Sequence, residues 1–168
     1  MNAIAIDIKG LAELQAAWKK APQICREELE RAMYEADALI EREVKELTPS
    51  GASGGGAGGL KGSITSEIQV SENNVIGIVG TSMNYAVPVE LGTVPHFPPI
   101  EPLIDWVRVK LGVSEHDARG VAFLVARKIS RTGTKAVHMF GRGFDAVEAQ
   151  VGRIFEAALD RIVARLAS

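Results

Sequence analysis

The sequence has 168 residues, of which 46% are apolar and 24% charged, with a formal net charge of −2 and a single cysteine, Cys25. This length predicts one domain over residues 1–168, and the charge argues against a protein that binds nucleic acid mainly by neutralising phosphates, with a local basic strip left open. A lone cysteine excludes an intrachain disulfide, and without a signal-like start or an apolar run long enough to span a bilayer we expect a protein of the cytoplasm.

The first 47 residues predict a short strand followed by helices. Residues 3–8 alternate, with Ile4, Ile6 and Ile8 on one side, which is typical of a half-buried strand. Residues 11–20 predict a brief helix, and Pro22, which suits a first helical turn, predicts that a second helix begins there and continues to Leu47. Apolar residues recur along this second helix at three- and four-residue spacing, namely Leu29, Met33, Ala36, Ile40, Val44 and Leu47.

The opposite face of this helix is charged. It carries Glu27, Glu28, Glu30, Arg31, Glu35, Glu41, Arg42, Glu43 and Lys45. Such a face is ordinarily solvated, and that is the interpretation we adopt. Within it, Glu41 and Lys45 are spaced for a weak i,i+4 ion pair.

Residues 48–62 form a glycine-rich segment, with seven glycines between Gly51 and Gly62. Few of its side chains can pack, and glycine loses the most conformational entropy on ordering, so we expect a flexible loop. A phosphate-binding loop is not indicated, because Lys61 is followed by Gly62 rather than by Ser or Thr. The segment also leads into a predicted strand, not into a helix N-terminus that could hold an anion.

A β-hairpin and a proline-rich connector follow. Residues 63–71 and 75–80 alternate as strands around a turn at residues 72–74, and the second strand is expected to be the more buried. Residues 85–102 then hold five of the seven prolines. Because proline fixes its own φ and pushes the preceding residue toward extended conformations, we expect a rigid, mostly irregular connector there.

The last third of the chain predicts helices. Residues 103–111 form a short amphipathic helix ended by Gly112, and Ser114 with Asp117 is a capping pair that starts a helix to about Arg131. The basic residues Arg127, Lys128 and Arg131 complement the dipole of that helix at its C-terminal end. Residues 135–140 are expected to be extended, and residues 143–167 form the closing helix, whose stripe is Phe144, Val147, Val151, Ile154, Phe155, Ala158, Ile162 and Leu166.

The titratable residues argue mildly against an enzyme. The histidines His96, His116 and His138 lie in three separate segments without metal-ligand spacing, so no metal site or cofactor is expected. Cys25 is interpreted as a small apolar filler on its helix rather than as a nucleophile. One catalytic alternative stays open, a small hydrolase in which Glu90 and His96 meet as general base and acid.

The order of these elements resembles the tail-completion or head–tail joining proteins of long-tailed bacteriophages, the neck proteins similar to minor tail protein Z. The resemblance covers most of the chain and concentrates in two pieces, residues 59–64 and residues 85–93, which we call the motif segments. The supporting residues are Leu47-Thr48-Pro49, Gly59-Leu60-Lys61-Gly62-Ser63-Ile64, Ile78-Val79-Gly80, Tyr85-Ala86 and Val89-Glu90-Leu91-Gly92-Thr93. Phe97-Pro98-Pro99 departs from the pattern of many relatives, in which a Pro-Phe pair leads directly into the last helix, because here residues 100–111 and a further helix come before it.

The resemblance implies an α+β fold, with a small antiparallel sheet packed against a long N-terminal helix and C-terminal helices. It also implies a non-enzymatic virion protein of the neck, made in the host bacterial cytoplasm, that forms a ring, expected to be a hexamer. Its partners would be the tail tube and the head connector, with no membrane and no sequence-specific nucleic acid apart from genome DNA passing through the ring. A monomeric phage adaptor remains an alternative.

Within this interpretation the assembly interface is expected to use both motif segments and the glycine-rich loop. The loop would order against a neighbouring subunit, and the hairpin would offer an edge for strand addition. The candidate interface residues are Gly51, Gly54, Gly55, Gly56, Gly58, Gly59, Leu60, Lys61, Tyr85, Glu90, Gly92, Thr93, His96 and Phe97.

Three of these residues have specific expected roles. Tyr85 would anchor its ring in the core with the hydroxyl at the surface. Glu90 would either accept bonds from the backbone of the turn at Gly92 and Thr93 or pair with a basic residue of the next subunit. Gly92 is expected to take a positive φ, which a side chain would strain.

Overall fold

The structure, a computed structural model, describes residues 11–51, 59–71 and 74–167. The predicted strand at residues 3–8 lies outside them. The described elements are the helices α1 (Leu11–Leu47), α2 (Leu60–Ser63), α3 (Ala86–Leu91), α4 (Glu101–Leu111), α5 (Glu115–Thr132) and α6 (Met139–Ala167), with the strands β1 (Thr65–Val70) and β2 (Val75–Gly80). The fold is α+β, as predicted, with the small antiparallel sheet packed on α1.

Helix α1 is a single helix of 37 residues, so the predicted break at Pro22 is wrong. Proline removes a hydrogen bond to the residue four positions earlier, which here is Trp18. Both Pro22 and Trp18 are exposed, so water can take the place of the missing donor at the Trp18 carbonyl. The cost of an internal proline is lowest at such an exposed position, which explains why the helix continues.

Helices α1 and α6 pack along each other and form the most extensive contact between the described elements. Small residues let the two helices approach closely: Ala32 and Ala36 on α1 and Ala158 on α6 are fully or almost fully buried. At the α1 end that leads to the sheet, Val44 is buried against Gly143, where an added Cβ would come within 2.7 Å of the valine side chain. Helix α6 begins at Met139, four residues earlier than the predicted start at residue 143.

Glu28 contradicts the prediction that the charged face of α1 is solvated. Its side chain is only 9% exposed, and Arg161 Nε donates to Glu28 Oε2 at 2.7 Å while Arg165 donates to Oε1 at 3.0 Å. The hydrogen bond from Arg161 lowers the pKa of Glu28; burial opposes that shift and Arg165 adds to it. Elsewhere on this face the predicted pair is confirmed, with Lys45 Nζ 2.6 Å from Glu41 Oε1.

The hairpin is confirmed, with β1 and β2 antiparallel from Thr65 opposite Gly80 to Val70 opposite Val75. The face on α1 carries Ser66, whose hydroxyl donates to Glu41, and Gly77, which meets the carboxylate of Asp37. The other face leaves Ile76 and Ile78 about half exposed. As expected, β2 is the more buried strand.

Two clusters of buried apolar residues divide the interior. The first joins α1, α2, α3 and α6 and contains Val44, Leu60, Ile64, Ala86 and Met139. The second lies between α4 and α5 and contains Val107, Ala118 and Ala122. The extensive contacts of α4 and α5 are with each other rather than with the other helices or the sheet. We call this helical hairpin, Glu101–Thr132, the arm, and the remaining elements the body.

The arm matches its sequence signals closely. Gly112 ends α4 with a φ of 63° and ψ of 24°, the left-handed conformation of a C-terminal cap. The hydroxyl of Ser114 accepts a bond from the backbone N–H of Asp117, so the predicted cap starts α5. Helix α5 then runs about five turns beyond that cap to Thr132, one residue past the predicted end.

Two connecting segments contain helices that were not predicted. In residues 85–102 the six residues Ala86–Leu91 form α3, so the expected irregular path is confined to residues 92–100. At the end of the glycine-rich segment, Leu60 begins α2 and is 4% exposed, which corrects the expectation of a loop through Gly62. Thr48 is also buried, its hydroxyl donating to the Val44 carbonyl at 2.6 Å.

Candidate assembly surface

The two motif segments pack against each other in the body. Leu60 and Ile64 of the first segment and Ala86 of the second belong to one buried cluster around Val44 and Met139. A hydrogen bond of 2.6 Å between the hydroxyls of Ser63 and Thr81 ties the end of α2 to the residues that precede α3. The pieces that carry the sequence resemblance therefore form one structural unit, at the end of the body where the arm begins.

Glu90 connects this unit to α6. Its Oε2 accepts a hydrogen bond of 3.1 Å from the backbone N–H of Phe140, and its Oε1 accepts a longer one of 3.5 Å from that of Gly141. The Glu90 backbone carbonyl also accepts from the N–H of His138 at 3.1 Å. The carboxylate thus caps the N-terminus of a helix that begins 49 residues later in the sequence. The predicted bonds to the turn at Gly92 and Thr93 are not the ones it makes.

The root of the arm is a short backbone bridge between the two segments that enter and leave it. Thr93 N–H donates to the Thr134 carbonyl at 3.1 Å, and Thr134 N–H donates back to Thr93 at 3.2 Å. The flanking glycines are required by this approach. Gly92 has the predicted positive φ, 72°, and Gly133 has a φ of 66°; a Cβ on either would collide with the backbone of the opposite segment.

Aromatic side chains near the root are exposed. Tyr85 is 46% exposed and stands just before α3, so its predicted place in the core is wrong. Phe97 is 53% exposed and contacts Phe123 of the arm, with ring centroids 6.0 Å apart. His96 is exposed, and its Nδ1 lies 3.0 Å from the Val94 carbonyl. Glu90 and His96, the alternative catalytic pair, thus form hydrogen bonds with other groups rather than with each other.

The glycine-rich part of the candidate interface is only partly described. Gly54, Gly55, Gly56 and Gly58 lie outside the described residues. Gly51 is exposed, Lys61 is half-buried on α2, and Gly59 is buried, its carbonyl accepting from Ser63 N–H at 3.1 Å. Leu60 belongs to the core, so any effect of this residue on a partner would come through packing of the body.

An open apolar cavity lies beside α3 at the same end of the body, and nothing in the sequence predicted it. Its volume is about 370 Å³, and the apolar side chains on its walls include Met83, Val87, Leu91 and Phe140. Val87 and Leu91 are 61% and 66% exposed, which is high for aliphatic residues on a helix. We call this feature the α3 cavity. Its lining suits a buried apolar side chain better than a polar ligand.

No group of three or more His, Cys, Asp or Glu side chains within residues 11–51, 59–71 and 74–167 is arranged to hold a metal ion. Among the helices that the structure describes, none has the length and apolarity needed to cross a membrane.

No family model matches the chain, and no curated protein or solved structure is significantly similar to it. A functional assignment has to be argued from the residues and their arrangement.

Proposed function

We propose that the chain is a structural protein of the head–tail neck of a long-tailed phage or prophage, a tail-completion component that self-assembles and helps to join the tail to the head. The observation that carries this proposal is the packing of the two motif segments into one unit around Val44 and Met139. Each segment by itself is a weak signal. Their association supports the resemblance, because both segments contribute residues to the same buried cluster.

The distribution of apolar side chains supports an assembly role. Val87, Leu91, Val94 and Phe97 are all more than half exposed and follow one another around the root of the arm. Exposed apolar patches of this kind mark protein–protein contact sites when they are continuous rather than scattered. The same region would serve a binding protein well and an enzyme poorly, since Glu90 is engaged in capping α6.

The proposal is tested in the phage or prophage that encodes the chain. Removing the gene is expected to leave full heads and complete tails unjoined, which negative-stain electron microscopy of induced lysates counts directly. Supplying the wild-type chain in trans restores joined particles. Purified chain added to tails from the deletion lysate is expected to remain with the tails when they are sedimented.

Two controls sharpen the result. A variant with Val163→Asp, on an exposed position of α6 remote in sequence from the motif segments, should restore joining as well as the wild type does. A stop codon early in the gene should behave as the deletion does, which separates loss of the protein from loss of the DNA. Normal yields of joined particles without the protein would rule out the neck function.

A further inference from the structure

The arm has an outer face that is largely exposed, although the ring of Phe123 on it contacts Phe97. On α5, residues 120, 123, 124, 127, 128 and 131 share one side at helical spacing, and all six are exposed. Phe123 and Leu124 are 45% and 57% exposed at its centre. The opposite side of the helix, with Ala118, Ala122 and Ala126, faces α4 or is otherwise buried. An isolated helical hairpin would not need apolar residues on the outside.

Gly120 is a second unexplained feature of this face. It stands in the interior of α5, where glycine weakens a helix, and a Cβ added there would meet no atom within 4 Å. No contact with the described residues therefore requires a glycine at this position. A glycine next to Phe123 would instead allow the backbone of another molecule to approach the helix closely.

The charge of the arm is opposite to that of the body. Residues 101–132 contain six lysines and arginines and four carboxylates, whereas the rest of the chain contains thirteen and seventeen. Arg127, Lys128 and Arg131 continue the outer face of α5 beyond Phe123 and Leu124. All three are exposed, and within the described residues none has a side-chain ion pair.

The body offers a complementary surface. The α3 cavity is apolar and open, with Val87 and Leu91 at its exposed side. Helix α6, whose Phe140 lines the cavity, carries the exposed carboxylates Asp145 and Glu148 in its first three turns, and Glu46 is exposed in the last turn of α1. These carboxylates likewise form no ion pair within the described part of the chain.

We propose that the outer face of the arm of one copy docks in the α3 cavity of a second copy, with Phe123 and Leu124 in the cavity and Gly120 against the cavity rim. Arg131 lies eight residues after Phe123, about 12 Å along the helix. The basic end of α5 would then reach the acidic surface of the neighbour. This inference rests on the self-assembly that the proposed function requires.

The two surfaces are different parts of the same chain, so the contact is heterologous. Each copy presents one arm and one cavity, and successive copies therefore join head to tail. Such an interface generates a closed ring when the rotation between copies closes and an open filament when it does not.

The test uses two double variants of the full chain. Phe123→Glu with Leu124→Glu removes the arm contact, and Val87→Glu with Leu91→Glu removes the cavity contact; all four positions are exposed, so both variants should keep their helices. Each variant alone is expected to be monomeric in sedimentation velocity, with self-association weakened at least about thirtyfold, as for a hot-spot residue. An equimolar mixture should form a one-to-one heterodimer and nothing larger, because one good arm and one good cavity remain.

Gly120→Gln provides an independent readout with a matched control. Glutamine favours the helix more than glycine, so thermal melts should show a more stable protein while self-association weakens. Gly152→Gln on α6, another helical glycine with no atom within 4 Å of an added Cβ, should stabilise the protein to a similar extent and leave self-association unchanged. Circular dichroism of every variant checks that the helices are retained.

The outcomes separate this inference from the proposed function. Variants that self-associate like the wild type, a mixture that stays monomeric, or a wild type that never self-associates would each overturn the arm–cavity contact. If the variants assemble normally and still join heads to tails, the docking surface is wrong and the neck function stands. If the mixture dimerises as expected but the wild type binds no tails, the docking stands and the neck function fails.

Discussion

Replacing Glu90 tests whether its carboxylate stabilises the protein from within. In Glu90→Ala the backbone N–H groups of Phe140 and Gly141 lose the acceptors that now lie 3.1 and 3.5 Å away. Loss of a helix N-cap costs about 0.5–2 kcal/mol, and loss of a negative charge at a helix N-terminus costs about 0.3–1 kcal/mol. Because the second bond is long and the residue is half-buried, we expect a total of about 1–2 kcal/mol. Glu90→Gln keeps an acceptor but not the charge and should lose about half of that.

The measurement is the free energy of unfolding from denaturant titration, with thermal melts as a second probe. For a chain of this size the loss corresponds to a fall in melting temperature of roughly 2–8 °C. Glu156→Ala is the control, since this glutamate is exposed in the middle of α6 and should change stability by less than about 0.5 kcal/mol. If Glu90→Ala melts like the wild type while losing assembly, the carboxylate serves a neighbouring subunit and the internal cap contributes nothing measurable.

Two further substitutions test buried contacts. Burial, and secondarily the charge of Glu41, raises the pKa of Asp37, whose Oδ2 is buried without a hydrogen-bond partner among the described residues. The folded state therefore holds this proton more tightly than the unfolded state, and the associated stability is present below the unfolded pKa and lost as pH rises through the folded pKa. Asp37→Asn should gain stability relative to the wild type between pH 4 and 7 in urea titrations, and a constant difference over that range would contradict the assignment. Gly92→Ala should reduce the free energy of unfolding by about 1–3 kcal/mol, because φ is 72° and the new Cβ would lie 2.5 Å from the Thr134 carbonyl oxygen. Gly112→Ala is the control, since an added Cβ there meets no described atom within 4 Å, and it should cost about 1 kcal/mol. Equal losses of stability in the two variants would mean that the bridge does not constrain the turn.

Local signals predicted much of the fold because they act over a few residues. The cap of Ser114 on Asp117 and the left-handed Gly112 depend on positions three residues apart or fewer, and both are present. Apolar periodicity likewise predicted α4, α5 and most of α6. It correctly placed Ala36 and Val44 on the buried face of α1. The predicted face of a helix is reliable where its own spacing decides which side is apolar.

Distant contacts explain the failures. Glu28 looked like one more residue of a charged face, and only the arrival of Arg161 and Arg165, more than 130 residues later, makes its burial favourable. Leu60 follows a run of glycines and would be expected in a loop if it did not pack in the first buried cluster. No pattern within either segment distinguishes these outcomes, because the partners that decide them lie elsewhere in the sequence.

The candidate site depends on both local sequence signals and distant contacts. Its residues were identified from the motif segments, and the structure brings Glu90, Gly92 and Thr93 together at the root of the arm. The geometry gives them a shared mechanical role. Glu90 caps the start of α6, and Thr93, three residues later, forms the backbone bridge to Thr134. The entry and the exit of the arm are therefore both connected to the N-terminus of α6. The direction of the arm relative to the body is therefore set by a few backbone hydrogen bonds and two glycines. Since the arm makes few contacts with the body, those bonds would also determine the angle between successive copies if the arm docks in the α3 cavity.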